Sequence, residues 1–150
     1  MESLNQDLYQ KINALCDQGD ELADNGQFSE ALKQYKEAWK LLPEPKEQWE
    51  AATWILVAMG DVNFLNGKFH QAVKDLTAAL ANINAVDNPF IYLRLGQSRL
   101  ELGDEQTALE ALQTAYELGD EYLWDGEDGK YLQFLAGKVD GIVIPPHQAV

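Results

Sequence analysis

Glycine and alanine residues recur in this sequence three times at the same spacing. The three copies are Gly19, Gly26, Ala31, Tyr35 and Ala38, then Gly60, Gly67, Ala72, Leu76 and Ala79, then Gly96, Gly103, Ala108, Leu112 and Ala115. Within each copy the intervals are 7, 5, 4 and 3 residues. A spacing that returns over such a length indicates repeats of one supersecondary unit, each too small to bury its apolar face alone.

Apolar periodicity predicts that each unit is a hairpin of two helices. The first apolar set is Leu4, Leu8, Ile12, Leu15 and Leu22. Its intervals place the side chains on one face of a helix that we expect from Ser3, as the N-cap, to Asn25. Asn25-Gly26 would end that helix through a left-handed residue, and Leu42-Pro43 would end the second one.

The other two copies follow the same plan. The predicted helices span about 46–66, 69–82, 89–102 and 104–119, with Pro45 in the first turn of the third helix. Gly19, Gly60 and Gly96 would lie inside helices, where each costs about 1 kcal/mol relative to alanine. We expect them to let the partner helix approach, with Ala31, Ala72 and Ala108 on the matching small faces.

This helix-turn-helix pattern resembles the tetratricopeptide repeat (TPR) family, and the resemblance covers residues 12–120. It implies an all-α, TPR-like right-handed α-solenoid with repeats at about 12–45, 53–86 and 89–120. The sequence departs from the family pattern where tyrosine or proline is usual, at Asn63, Arg99, Asn84 and Asp120. Segments such as Leu42-Pro43-Glu44-Pro45-Lys46 and Gly126–Leu135 are also similar to short bacterial proteins with three such repeats.

The residues after the third repeat are expected to close the array. Tyr122, Leu123 and Trp124, followed by aromatic and aliphatic residues at 131–135, predict a short helical cap over about 121–136. Residues 1–136 would then form a single domain. Residues 137–150 contain Ile142-Val143-Ile144-Pro145-Pro146, which favours an extended tail, either loose or lying along the protein.

Charge narrows the range of partners. The formal net charge of −14 repels nucleic acid and anionic lipid, so we expect neither as a partner. The single cysteine, Cys16, cannot form an intramolecular disulfide. With no signal-peptide pattern and no apolar run long enough to span a membrane, a cytoplasmic location is expected.

Catalytic and metal-binding patterns are missing from the sequence. The two histidines, His70 and His147, lie outside any recognised catalytic or metal-binding string. The acidic run from Asp120 to Asp128 does not fit the register of a calcium loop. We therefore expect no enzyme activity, cofactor or metal.

The resemblance implies that the first helix of each repeat lines a concave groove. The groove residues expected from the register are Asn13, Asp17, Asp20, Asp24, Trp54, Val57, Asp61, Phe64, Phe90, Leu93, Arg94 and Gln97. The clamp that holds acidic tails of heat-shock chaperones requires cationic and amide donors at positions that here are Cys16, Asp20, Val57, Asp61, Leu93 and Gln97. Such tails are therefore not expected as ligands.

Several functions fit this pattern. The leading hypothesis is a groove that binds a basic or amphipathic segment of another protein, in an adaptor, a chaperone, a scaffold or an acidic neutraliser of a basic toxin. The alternative is a structural subunit that forms homo-oligomers through its C-terminal aromatic region, including Trp124 and Tyr131. The acidic stripe can equally be a solvated face, and Trp54, Phe64 and Phe90 can equally be core residues.

Overall fold

The computed structural model of the protein describes residues 4–146, which are all-α as expected and contain no strand. Its seven α-helices are α1 Gln6–Asp24, α2 Phe28–Leu41, α3 Glu50–Leu65, α4 Phe69–Leu80, α5 Pro89–Glu101, α6 Glu105–Leu118 and α7 Gly129–Lys138. A short 3₁₀ turn, Lys46–Gln48, precedes α3. The three predicted hairpins are confirmed as α1–α2, α3–α4 and α5–α6.

The chain forms two compact units, Met1–Val86 and Asp87–Val150. In the first unit the two hairpins pack together, with α3 against both α1 and α2. In the second unit α5 pairs with α6, and α7 packs against α6. A single domain over residues 1–136 stays a prediction.

A large side chain packs onto a helical glycine in every hairpin. A Cβ atom added at Gly19 would lie 2.6 Å from the Tyr35 ring, and one at Gly60 or Gly96 would lie 2.6 Å from Leu76 or Leu112. The glycines therefore do allow the close approach that the sequence predicts. The side chain that fills each gap belongs to the opposite helix, so the contact is large against small rather than small against small. The repeated alanines complete the contact and are fully buried at positions 31, 38, 72, 79, 108 and 115.

The predicted turns lie where the second glycine of each copy stands. Gly26, Gly67 and Gly103 have φ angles of 78°, 75° and 83°, which residues with a Cβ atom rarely adopt. Each turn joins two antiparallel helices within three residues.

Two helix starts differ from the prediction. The predicted cap Ser3 lies outside the described residues, and α1 is capped by Asn5, whose side chain accepts hydrogen bonds from the N–H groups of Asp7 and Leu8. Pro45 is extended, with ψ at 127°, and does not enter the third helix. That helix therefore begins at Glu50 instead of Lys46.

The backbone conformation of Asn84 explains why this position lacks the proline that is usual in the family. Its φ angle is +60°, a value that proline, fixed near −65°, cannot reach. Its side chain donates a 2.6 Å hydrogen bond to Glu50, and the carbonyl of neighbouring Ile83 accepts one from Thr53. The end of the second repeat is thereby attached to the start of α3.

The segment after α6 forms a turn-rich cap and then α7. Residues 121–126 are turns rather than a helix, and Trp124 is buried among them. The tail lies along the second unit at least as far as Val143, whose N–H donates to the Tyr116 hydroxyl at 3.0 Å. Within the described part of the chain, no helix has both the length and the apolar character that crossing a membrane requires.

Candidate functional site

Three of the predicted groove carboxylates surround one pocket in the first unit. Asp20, Asp24 and Asp61 line a cavity of about 350 Å³ between α1 and α3. The rest of the wall consists of Ala23, Tyr35, Ala58 and Val62. The pocket therefore combines an acidic rim with small and apolar side chains.

Tyr35 holds one of these carboxylates in place. Its hydroxyl donates a 2.6 Å hydrogen bond to Asp20 Oδ1. Burial, together with this bond and the neighbouring carboxylates, raises the pKa of Tyr35, so the hydroxyl stays a donor at neutral pH. The repeat spacing predicts Tyr35 only as a member of the repeated set. The available signal for its polar contact is that a ring packed on Gly19 brings its hydroxyl to the next residue on α1.

The exposed face of α3 continues from the pocket. Trp54, Ala58 and Asp61 are spaced by four and three residues, so they lie on one side of the helix. Trp54 is 47% exposed, which is high for a tryptophan in a folded chain. Val57 and Phe64 are half-buried, and the Phe64 ring centroid lies 5.8 Å from that of Phe69. Trp54 is thus on the surface, whereas Phe64 packs partly within the hairpin.

The acidic face of α1 is also present. Asp17, Asp20 and Asp24 retain access to solvent, and Asn13 is half-buried. Cys16 lies on the same helix. Burial, together with the charges of Asp20 and Asp17, raises the pKa of its thiol to about 11. A thiol with that pKa is protonated at neutral pH and is a poor nucleophile.

The third repeat does not expose the face that the register predicts. Leu93 and Gln97 are 0% exposed, and Arg94 is 7% exposed. The side chain of Glu127, from the cap, accepts hydrogen bonds from Arg94 and from Gln97 Nε2, the latter at 2.7 Å. Arg94 also donates to Gln97 Oε1 at 2.7 Å and lies over the Phe90 ring.

These contacts correct the expectation for Leu93, Arg94 and Gln97. The chain's own cap segment pairs with the polar face of α5, so Arg94 and Gln97 already have partners and are inaccessible to another protein in this structure. Further along α5, Glu101 accepts hydrogen bonds from Lys130 and Tyr131, both at 2.6 Å. These bonds lower the pKa of the Glu101 carboxyl.

The first unit contains a second polar cluster, which no motif of the sequence indicates. Asp75 is only 8% exposed and accepts hydrogen bonds from Asn63 at 2.8 Å and from Gln71 at 3.1 Å. Burial raises the pKa of Asp75, and the two hydrogen bonds partly oppose that rise. Asn63, where the family usually has tyrosine, is thus an anchor for a buried carboxylate.

The described residues form no cluster of side chains suited to binding a metal ion. Nowhere in residues 4–146 do three or more His, Cys, Asp or Glu side chains converge in a way that could hold a metal ion. His70 is exposed, and His147 lies outside the described residues.

Comparison with known proteins supports the repeat assignment. A family model described as SHNi-TPR matches residues 55–81, and one described as tetratricopeptide repeat matches residues 91–119. The fold is similar to the crystal structure of MamA, with a TM-score of 0.64 and 19% identity over 83% of this chain and 64% of that chain. This chain thus spans less than two thirds of the length of MamA. No curated protein matches the sequence.

The fold and the family matches agree on the same residues. The matched segments fall in the second and third hairpins, where glycine separates the paired helices. Repeats of this kind form surfaces that bind other proteins. Its second and third hairpins are thus similar to the tetratricopeptide repeat, in sequence and in fold.

Proposed function

We propose that the surface of α1 and α3 binds a basic or amphipathic segment of another protein. A lysine or arginine side chain of that segment enters the pocket between Asp20, Asp24 and Asp61. An apolar side chain of the same segment packs on Trp54. The protein would serve as an adaptor, a chaperone, a scaffold or a neutraliser of a basic toxin. Each of these roles can use a surface that binds a basic or amphipathic segment.

The observation that carries the proposal is the convergence of three carboxylates on one cavity. The described residues that line the cavity include no lysine or arginine. Small side chains at Ala23 and Ala58 leave room for the aliphatic part of a basic side chain, which prefers apolar contact below its charged head. A partner carboxylate would meet only like charge there.

Trp54 supplies the apolar half of the proposed surface. Tryptophan is enriched among residues that contribute most to protein–protein binding, because it buries a large area and loses little conformational entropy. Its position one and two helical turns before Ala58 and Asp61 places it beside the pocket. An amphipathic segment can therefore reach both features.

The self-association alternative has less support. Trp124 and Tyr131, the aromatic residues that suggested it, are buried within the second unit and stabilise the cap. Tyr122, which is 68% exposed, remains the aromatic residue of this region on the surface. The first unit therefore offers the better candidate surface.

The decisive experiment compares two charge-matched variants. One carries Asp20→Asn, Asp24→Asn and Asp61→Asn, and asparagine at position 20 still offers Tyr35 an acceptor. The other carries Glu21→Gln, Glu37→Gln and Glu47→Gln, three positions of the same unit outside the pocket. Binding of a synthetic amphipathic peptide rich in lysine, arginine and leucine is measured at low salt by fluorescence anisotropy.

The pocket variant should bind this peptide about tenfold more weakly than the wild type, since three attractive contacts are lost. The surface variant should differ by less than about twofold, because it changes only the long-range field. Trp54→Ala should weaken binding separately and at all salt concentrations. Equal losses in the two triple variants would show that the pocket has no specific role.

A further inference from the structure

The second unit contains a larger cavity that the proposed function does not use. Its volume is about 510 Å³, within the range of about 300–1,000 Å³ typical of sites for small organic molecules. α6 and the cap form one side of it, and the C-terminal tail forms the other. Its lining contains no residue of the acidic pocket described above.

Aromatic and apolar side chains form the interior of this cavity. Tyr116 and Trp124 provide two rings, and Ile144, Pro145 and Pro146 lie on the tail side. Trp124 is 2% exposed, so its ring is almost entirely covered and supports the wall from behind instead of contacting a bound molecule. The hydrogen bond from Val143 N–H to the Tyr116 hydroxyl fastens the tail beside the opening. An apolar body can therefore be enclosed between rigid walls.

Among the described residues that line the cavity, the charged side chains are Asp120 and Glu121, and none is a lysine, arginine or histidine. Both carboxylates reach solvent as well as the cavity. Asp120 Oδ1 accepts a 3.0 Å hydrogen bond from the N–H of Tyr122, which positions that carboxylate. Aromatic rings and carboxylates together favour a cation, because both attract positive charge.

We propose that this cavity binds a small organic cation, with an aromatic body of one or two rings packed between Tyr116 and the tail residues Ile144 and Pro145, and with its ammonium group near Asp120 and Glu121. The cation complements the rim, the body complements the walls, and the volume accommodates both. A protein with a net charge of −14 also raises the local concentration of cations. This site is independent of the proposed protein-binding surface on α1 and α3.

The test uses two probes that share an indole ring and a two-carbon chain and differ in the terminal group. Tryptamine carries an ammonium group, and tryptophol has a hydroxyl group in its place. Each is titrated into the ¹⁵N-labelled full chain at low salt, and the shifts of backbone amides at Gly119, Glu121 and Ile144 are followed by NMR. Tryptamine should shift these amides and bind about fivefold more tightly than tryptophol, as expected for one cation–aromatic contact plus solvated ion pairs.

A matched pair of variants separates the rim from the overall charge. Asp120→Asn/Glu121→Gln should reduce the preference for tryptamine to less than about twofold, because the rim loses its charge while the new amide at position 120 keeps an acceptor oxygen for the N–H of Tyr122. Asp87→Asn/Glu110→Gln removes the same charge at exposed positions outside the cavity and should leave the preference unchanged. Equal affinity for both probes in the wild type would overturn the proposal, as would shifts confined to residues elsewhere or no binding by either probe.

Discussion

A single hydroxyl group distinguishes the first hairpin from the other two. Tyr35 occupies the position that Leu76 and Leu112 hold in the later hairpins, and all three pack on a glycine. Only the tyrosine reaches beyond that glycine to bond the next side chain, Asp20. An exposed carboxylate held by a neutral donor keeps its position, which suits a surface that binds cations.

Asp75 should make stability depend on pH. Because burial raises the pKa of Asp75, the folded state holds the proton of this carboxyl group more tightly than the unfolded state does. That stabilisation is complete below the ordinary aspartate pKa of about 3.9 and is lost as pH rises through the raised value. Asp75→Asn removes the buried charge, so the free energy of unfolding of the wild type should fall relative to the variant between pH 4 and 8.

Urea denaturation across this pH range measures the difference. Asp87→Asn, which makes the same chemical change at an exposed position, is the control and should show a flatter difference. A wild type that gains stability relative to Asp75→Asn as pH rises would contradict the raised pKa.

The hairpin is the element that the sequence predicts best. A glycine inside a helix opposite a large residue, and a second glycine at a left-handed turn, are local requirements that leave a fixed spacing. That spacing predicted the three hairpins and most helix ends. The predicted start of α3 was wrong. The ψ angle of Pro45 is set by the connection between the two hairpins, and helical periodicity does not report it.

The close contact at Gly19 should be intolerant of a single methyl group. Gly19→Ala would place its Cβ 2.6 Å from the Tyr35 ring, and this crowding should lower the free energy of unfolding by about 1–3 kcal/mol. Gly137→Ala, in α7, meets no atom within 4 Å and should raise it by up to about 1 kcal/mol through helix propensity. Chemical denaturation of both variants measures the contrast. Equal effects would show that helix propensity, not packing, decides both.

The register assigned Asp20, Asp24 and Asp61 to the expected groove, and that they serve as a binding site stays a prediction. In the structure the three line one pocket, because helix periodicity and repeat spacing determine their positions. The register could not show that Glu127 pairs with Arg94 and Gln97. The cap lies outside the repeat and forms turns, so no periodic pattern reports where its side chains lie. The hydrogen bond from Tyr35 to Asp20 was also not predicted. Tyr35 belongs to a strong repeat pattern, and that pattern indicates packing but not what the hydroxyl group contacts.

The net charge of −14 governs the behaviour of the whole molecule in salt. Carboxylates outnumber basic groups by more than two to one, so most long-range interactions in the folded chain are repulsive. Buried pairs such as Arg94–Glu127 are screened much less than exposed charges. Added salt therefore relieves repulsion while weakening this buried pair much less.

Thermal stability should accordingly increase with ionic strength. Raising NaCl from about 0.02 to 0.3 M shortens the screening length to below 10 Å and should raise the melting temperature by about 2–4 °C, equivalent to roughly 1 kcal/mol. The variant with Glu21→Gln, Glu37→Gln and Glu47→Gln should show a smaller increase. Differential scanning calorimetry provides the measurement, and a melting temperature that falls with salt would mean that attractive surface pairs dominate.

The pairing of Glu127 with Arg94 and Gln97 also constrains how this protein can evolve. Replacing any one of the three leaves a buried charge or amide without its partner, whereas replacing them together by apolar residues is tolerated in many proteins. Related sequences should therefore keep all three residues or change them as a set. Positions 94 and 127 are expected to covary across 33 residues of chain, while the exposed carboxylates of α1 drift independently unless a partner selects them.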